Sequence, residues 1–102
     1  MDIEEIKRKV RSDIFILSTH ADQEAADEAI DIAEVRSALL NGELLESYPD
    51  TGRGESCLVL GFVNGRPIHV VCGWRREAVL IITVYIPRLP TFKDPRTRGR
   101  RS

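Results

Sequence analysis

The sequence predicts an α+β fold in which N-terminal helices pack on a C-terminal antiparallel β-meander. In most of residues 1–40 apolar residues recur at helical spacing, and Asn41-Gly42 then gives a helix-ending signal. After Gly42 the pattern changes to short apolar runs separated by turn residues, which is typical of antiparallel strands. Helices of this kind cover one face of the sheet, and the other face is expected to be partly open or covered by the C-terminal tail. We expect one domain over residues 1–90 and a flexible basic tail over 91–102.

The first segment is predicted to be a short amphipathic helix. Ile3, Ile6 and Val10 fall on one of its faces, with acidic residues in its first turn and basic residues at its end. The β-favouring run from Ile14 to Leu17 follows it. This run predicts a strand, or an extended segment that leads into the next helix.

Two more helices are predicted between Asp22 and Gly42. Asp31 can cap the second of them, and Glu34, three residues later, completes a capping-box pattern. The predicted buried stripe of that helix consists of Ile32, Val35 and Leu39.

The strongest local signal is Asn64-Gly65, a two-residue turn between two apolar runs, which predicts a β-hairpin. The turn also sets the strand register, because a two-residue connection leaves one way to align the strands. The predicted cross-strand pairs are Val63 with Arg66, Phe62 with Pro67, Leu60 with His69, and Cys57 with Cys72. A strand ending near Tyr48 precedes this hairpin, and the apolar run from Ala78 to Ile86 follows it as a central strand.

Charge is distributed unevenly along the chain. Residues 1–50 hold 5 basic and 13 acidic residues, a net charge of −8, whereas residues 51–102 hold 10 basic and 3 acidic residues, a net charge of +7. One interpretation is a basic surface that meets a polyanion. The other is that the two halves attract each other within the fold.

The cysteines and the apolar runs bear on the class of protein. Cys57 and Cys72 lack the C-x-x-C spacing of metal sites, so we expect two buried, reduced thiols. The run from Ala78 to Ile86 is far too short to span a bilayer, and the charged N-terminus does not resemble a secretory signal. We therefore expect a cytoplasmic protein with no membrane partner.

Several familiar chemistries have no counterpart in this sequence. There is no G-x-x-x-x-G-K-[ST] loop for nucleotide phosphates and no H-E-x-x-H pattern or His/Cys cluster for zinc. We accordingly expect no cofactor and no metal.

Polar residues at the ends and edges of the predicted elements remain as candidates for a site. His20 either caps a helix or lies at a cleft, and His69 is either an interior imidazole or part of a site. The arginines beside turns, Arg53 and Arg66, are either solvated or hold a phosphate. Thr83 and Tyr85 share one face of the last strand, where Tyr85 is either a core aromatic or a phenol in a site.

The order of "STHA", "IAEVRSALLNGELLESYPD", "GRGESCLVLG", "GRPIHVV" and "IITVY" resembles a small bacterial family called domain of unknown function four-two-five-eight. The resemblance covers roughly residues 15–87, and the family is similar in size and layout to the RelE and BrnT ribonuclease toxins. In that family the pattern after the histidine is H-A-x-x-R-M-x-x-R-G. Here Glu24 and Glu28 stand at the two arginine positions, which puts a phosphate-binding role of that surface in doubt.

The resemblance implies the toxin component of a toxin–antitoxin system, a metal-independent endoribonuclease acting on mRNA. Such cleavage needs a base, an acid and a cation for the phosphorane. The predicted catalytic residues are His20, Arg66, His69 and Tyr85. The predicted substrate-binding residues are Arg53, Thr83, Lys93, Arg96 and Arg98. The expected partners are RNA and an antitoxin protein such as a small zinc-finger protein, and a homo-oligomer is also open.

The alternative is a non-catalytic module that binds a protein partner. It would use the acidic helices, the basic tail and an open sheet edge. Glu24 and Glu28 in place of arginines favour this alternative.

Overall fold

The computed structural model describes residues 1–99 and has three helices, a five-stranded sheet and a small C-terminal hairpin. The helices are α1 (Ile3–Arg11), α2 (Thr19–Asp27) and α3 (Ile32–Leu40). The sheet contains β1 (Phe15–Leu17), β2 (Glu43–Tyr48), β3 (Ser56–Val63), β4 (Arg66–Arg75) and β5 (Ala78–Tyr85). The hairpin pairs β6 (Phe92–Asp94) with β7 (Thr97–Arg98). The predicted α+β class, with N-terminal helices and a C-terminal meander, is confirmed.

Each helix begins at a side-chain cap. The carboxylate of Asp31 accepts a hydrogen bond from the Glu34 amide at 2.8 Å, and the Glu34 carboxylate accepts one from the Asp31 amide at 3.0 Å. This confirms the capping box, which satisfies two amides that would otherwise lack a partner at the helix start. Asp2 and Ser18 cap α1 and α2 by single hydrogen bonds, which their side chains accept from the amides of Glu4 and Ala21.

The sheet is mixed, with strand order β1-β5-β4-β3-β2. β2 to β5 form an antiparallel meander, and β1 pairs with β5 in parallel, which resolves the segment after α1 as a strand. The β3–β4 register is the predicted one, with Val63 opposite Arg66 and Leu60 opposite His69. The run from Ala78 also lies inside the sheet, between β1 and β4.

The three helices cover one side of the sheet, which we call the helix face. α3 lies close to β3 at Gly61, where a Cβ atom would stand 2.0 Å from the Ala38 carbonyl oxygen, so only glycine permits this approach. Val35 and Leu39 are fully buried, as predicted. The prediction for Ile32 is wrong: its side chain is 60% exposed, because the first residue of α3 points away from the sheet.

The opposite side of the sheet, the hairpin face, is covered in part by β6 and β7. Phe92 is 2% exposed and packs on His69. The next residue of β4, Val70, points to the other side of the sheet and belongs to the core under the helices. A flexible tail was predicted here, but residues 92–98 form a hairpin that a buried aromatic ring and two ion pairs hold to the sheet. Residues 100–102 of the predicted tail lie outside the described residues.

None of the helices within residues 1–99 is long and apolar enough to cross a membrane.

Candidate functional site on the hairpin face

His69 lies fully buried in the middle of the hairpin face. Its Nε2 is 2.7 Å from the carbonyl oxygen of Pro95, and its Nδ1 is 3.1 Å from the hydroxyl of Tyr85. A carbonyl oxygen only accepts, so Nε2 carries the proton and donates it to Pro95. In the neutral ring, Nδ1 then has a lone pair and accepts the hydrogen bond from Tyr85.

Burial lowers the pKa of His69 from its ordinary value of 6.5, because desolvation penalises the charged imidazolium. The hydrogen bond to Pro95 and the nearby carboxylate of Glu46 act in the opposite direction and are weaker. The imidazole is therefore neutral at physiological pH, and both of its nitrogens have partners: Nε2–H donates to Pro95 and Nδ1 accepts from Tyr85.

Two aromatic rings enclose the imidazole. The ring centroid of Phe92 is 4.4 Å from that of His69 at an interplanar angle of 89°, and the ring of Tyr85 is 5.2 Å away at 65°. Both are edge-to-face arrangements, which aromatic pairs favour. Burial also raises the pKa of the Tyr85 hydroxyl, so this phenol stays protonated.

An ion pair lies beside the imidazole, between the sheet and the hairpin. Arg98 binds the Glu46 carboxylate through two nitrogens at 2.7 and 2.9 Å, and the Tyr48 hydroxyl donates a further hydrogen bond to that carboxylate. The hydrogen bond from Arg98 lowers the pKa of Glu46 to about 2. Burial and the Glu46 carboxylate raise the pKa of Tyr48 to about 12.

Arginines of the hairpin make the remaining polar attachments to the sheet. Arg96 pairs with Glu43 at 2.6 Å, and its guanidinium lies 5.7 Å from the ring of Phe62. The guanidinium of Arg98 lies 4.6 Å from the ring of Phe92. The Arg96–Glu43 pair is open to solvent and contributes little on its own, whereas the Arg98–Glu46 pair is bidentate and its carboxylate is half-buried.

The structure brings together some of the predicted catalytic residues and separates others. His69 and Tyr85 are in contact, whereas His20 is exposed on α2 and pairs with Glu24 at 3.2 Å. Arg66 faces the helices, where it binds the Glu34 carboxylate at 3.1 Å. Alternation along β4 explains this, because residues 66 and 69 are an odd number of positions apart and point to opposite faces. The four residues thus do not line one hollow.

The predicted substrate-binding residues are also divided. Arg96 and Arg98 lie against the site through their carboxylate partners, and Lys93 is exposed on β6. Thr83 lies on the hairpin face, opposite Val71. Arg53 lies away from the imidazole, at the rim of a separate hollow.

Glu24 and Glu28 have structural partners on β5 and just beyond it. The Glu24 carboxylate accepts the Val84 amide at 3.2 Å, on a strand edge that β1 is too short to cover. Glu28 binds Arg88 through two oxygens at 2.7 and 2.9 Å, and that hydrogen bond lowers the pKa of Glu28. Glu24 therefore joins α2 to β5, and Glu28 joins the end of α2 to the segment that follows β5.

Glu46, Tyr48 and Phe92 were not among the site residues predicted from the sequence. A β-bulge between Leu44 and Glu46 changes the alternation of β2, so that Glu43 and Glu46 both face the hairpin. No local signal marks this bulge. Phe92 offered a signal, since it is an apolar ring in an otherwise polar tail.

Within residues 1–99 no group of three or more histidine, cysteine or acidic side chains is arranged to hold a metal ion. Both cysteines are free and buried, as expected, and burial raises the pKa of each thiol.

Comparison with known proteins gives one family. Residues 17–86 match the family model described as Domain of unknown function (DUF4258), which is more than half of the chain. No curated protein and no solved structure gives a significant match. The further likeness to RelE and BrnT toxins stays a prediction.

Proposed function

Because the chain belongs to the family described as Domain of unknown function (DUF4258), whose description states no activity, we propose a function from the hairpin face itself. The proposal is cleavage of single-stranded RNA, with no metal or other cofactor, by the toxin component of a cytoplasmic toxin–antitoxin pair. One observation carries it: a neutral imidazole, His69, touches a protonated phenol and lies beside a bidentate carboxylate–guanidinium pair.

These groups can perform the proton transfers of RNA cleavage. When Pro95 moves away with the hairpin, the ring can donate through Nδ1–H to the Tyr85 oxygen, and Nε2 then accepts the proton of the 2′-hydroxyl, whose oxygen attacks the adjacent phosphorus. The bond from phosphorus to the 5′-oxygen breaks, and the leaving oxygen takes a proton from Tyr48, whose phenol is protonated. Once the RNA phosphate has replaced Glu46 as its partner, Arg98 supplies the positive charge that stabilises the phosphorane. The products are a 2′,3′-cyclic phosphate and a 5′-hydroxyl end.

RNA reaches His69 only when the hairpin moves, since the imidazole is fully buried. The ion pairs of Arg96 and Arg98 are exposed, so phosphate groups can compete with Glu43 and Glu46 for the same guanidiniums. RNA binding and hairpin opening would therefore be coupled, and both would depend on salt concentration.

A toxin of this kind would also have a protein partner. An antitoxin, for which a small zinc-finger protein is a candidate, would keep the hairpin closed or occupy the face that opening exposes. A homo-oligomer stays a further prediction.

The test is cleavage of a fluorescent single-stranded RNA by the purified chain. We expect a 2′,3′-cyclic phosphate product, loss of cleavage in His69→Gln, and unchanged cleavage in the matched control His20→Gln. A substrate with 2′-deoxyribose throughout should resist. Equal cleavage by wild type and His69→Gln would refute the assignment.

A second candidate function is a non-catalytic module that binds a protein partner. It is favoured by His69 itself, because both ring nitrogens have partners and no part of the side chain is exposed. Absence of RNA cleavage in the wild type and in a variant with an opened hairpin would select this candidate.

A further inference from the structure

A second hollow lies on the hairpin face, at the end of the sheet away from β6 and β7. It has a volume of about 370 Å³ and lies between loop 49–55 and the adjoining ends of β3, β4 and β5. No residue of the hairpin lines it. The volume lies within the range of sites that bind small organic ligands.

The floor of this hollow is apolar and contains a glycine. Leu80 and Ile82 contribute aliphatic side chains, and Tyr48 lines one wall. Trp74 adjoins the hollow, but its side chain packs on the other side of the sheet, against the core under the helices. A Cβ atom on Gly73 would stand 3.2 Å from Cδ1 of Ile82 and 3.4 Å from the carbonyl oxygen of Glu55. The absence of a side chain at residue 73 therefore keeps space for a ligand open.

A cation stands at the rim. Arg53 is exposed and takes part in none of the ion pairs formed within residues 1–99. The backbone on either side of Arg53 is held in place, because the Asp50 carboxylate accepts hydrogen bonds from the amides of Gly52 and Gly54 at 2.8 and 2.9 Å. The neighbouring Glu55 faces the amino terminus at 3.7 Å, so the guanidinium is free to bind an anion.

We propose that this hollow binds one nucleotide unit of the RNA substrate, with the base against Tyr48 and the phosphate at Arg53. An aromatic wall and an apolar floor suit a planar base, and a guanidinium suits a phosphate. The proposal rests on the proposed function for its substrate class. Tyr48 links the two sites, since its ring lines the hollow and its hydroxyl binds Glu46 beside His69.

Trp74 is the only tryptophan of the chain and adjoins the hollow, so its fluorescence serves as the reporter of binding. The probe is adenosine 5′-monophosphate alone, which has no bond for the enzyme to cleave. We expect saturable quenching by this nucleotide, binding about tenfold weaker or more in Arg53→Gln, and unchanged binding in the control Arg76→Gln. Gly73→Val should abolish binding because it fills the floor.

Three results would overturn the subsite: no quenching, equal weakening in Arg53→Gln and Arg76→Gln, or inorganic phosphate binding as tightly as the nucleotide. Arg53 is exposed, so its variant keeps the test valid even where Gly73→Val fails to fold. His69→Gln should bind the nucleotide like the wild type. Nucleotide binding without RNA cleavage contradicts the proposed function alone, and cleavage without nucleotide binding contradicts the subsite alone.

Discussion

Replacement of Phe92 by alanine should release the hairpin from the sheet while the rest of the fold stays intact. Phe92 is the one apolar side chain of β6 and β7 that is buried, and its ring packs on His69. Truncation of a buried phenylalanine to alanine costs about 3–5 kcal/mol.

The other attachments are too weak to hold the hairpin once this ring is lost. The exposed ion pair of Arg96 contributes at most about 1 kcal/mol, the bidentate pair of Arg98 with the half-buried Glu46 contributes about 1–3 kcal/mol, and the hydrogen bond from His69 to Pro95 contributes about 1 kcal/mol. Ordering residues 92–98 costs about 1 kcal/mol or more per residue, which exceeds what remains.

Amide hydrogen exchange and limited trypsin digestion measure the opening. We expect the amides of residues 92–99 to exchange faster in Phe92→Ala and trypsin to cleave after Arg96, whereas the core strands stay protected. Lys93→Ala is the matched control, because Lys93 is exposed on the same strand. Hairpin amides that exchange at the wild-type rate in Phe92→Ala would refute the reasoning.

Three further predictions concern stability. Gly61→Ala should lower the free energy of unfolding by about 3 kcal/mol or more in urea, because the new Cβ atom meets the α3 backbone. Gly73→Ala should lower it less, because the new Cβ atom meets a flexible side chain. Equal decreases in the two variants would contradict this. The pKa of His69 is lowered in the folded state, so the unfolded chain binds more protons than the folded chain as pH falls below about 6.5. The free energy of unfolding should therefore decrease as the pH is lowered from about 7.5 to about 5.5. The His69→Gln variant should lose that part of the slope, and an unchanged slope would contradict the lowered pKa. Glu28→Arg should lower the melting temperature slightly, and adding Arg88→Glu to that variant should recover part of the decrease. If the decreases in melting temperature of the two single variants simply add in the double variant, the two residues are not coupled.

Much of the fold could be predicted from local rules. The Asn64-Gly65 turn determined the register that placed Leu60 opposite His69, because a two-residue hairpin leaves one alignment. The Asp31 capping box was equally local. The parallel pairing of β1 could not be predicted, since the pairing of Phe15 with Val79 depends on how α2 and α3 return the chain.

The site was predictable only in part. Alternation placed Tyr85 and Thr83 on one face, and the same rule, applied from His69 back to Arg66, would have removed Arg66 from that face. Glu46 could not be found this way, because the bulge in β2 reverses the alternation. The hairpin depends on contacts between residues far apart in sequence, such as Arg98 with Glu46, which no local pattern encodes.

Cleavage of single-stranded RNA by Phe92→Ala, compared with cleavage by Phe92→Ala combined with His69→Gln, tests the central claim most directly. If His69 is the base of a ribonuclease site under the hairpin, the single variant cleaves the RNA and the double variant does not. Equal rates in the single and the double variant would show that the imidazole under the hairpin takes no part in the reaction.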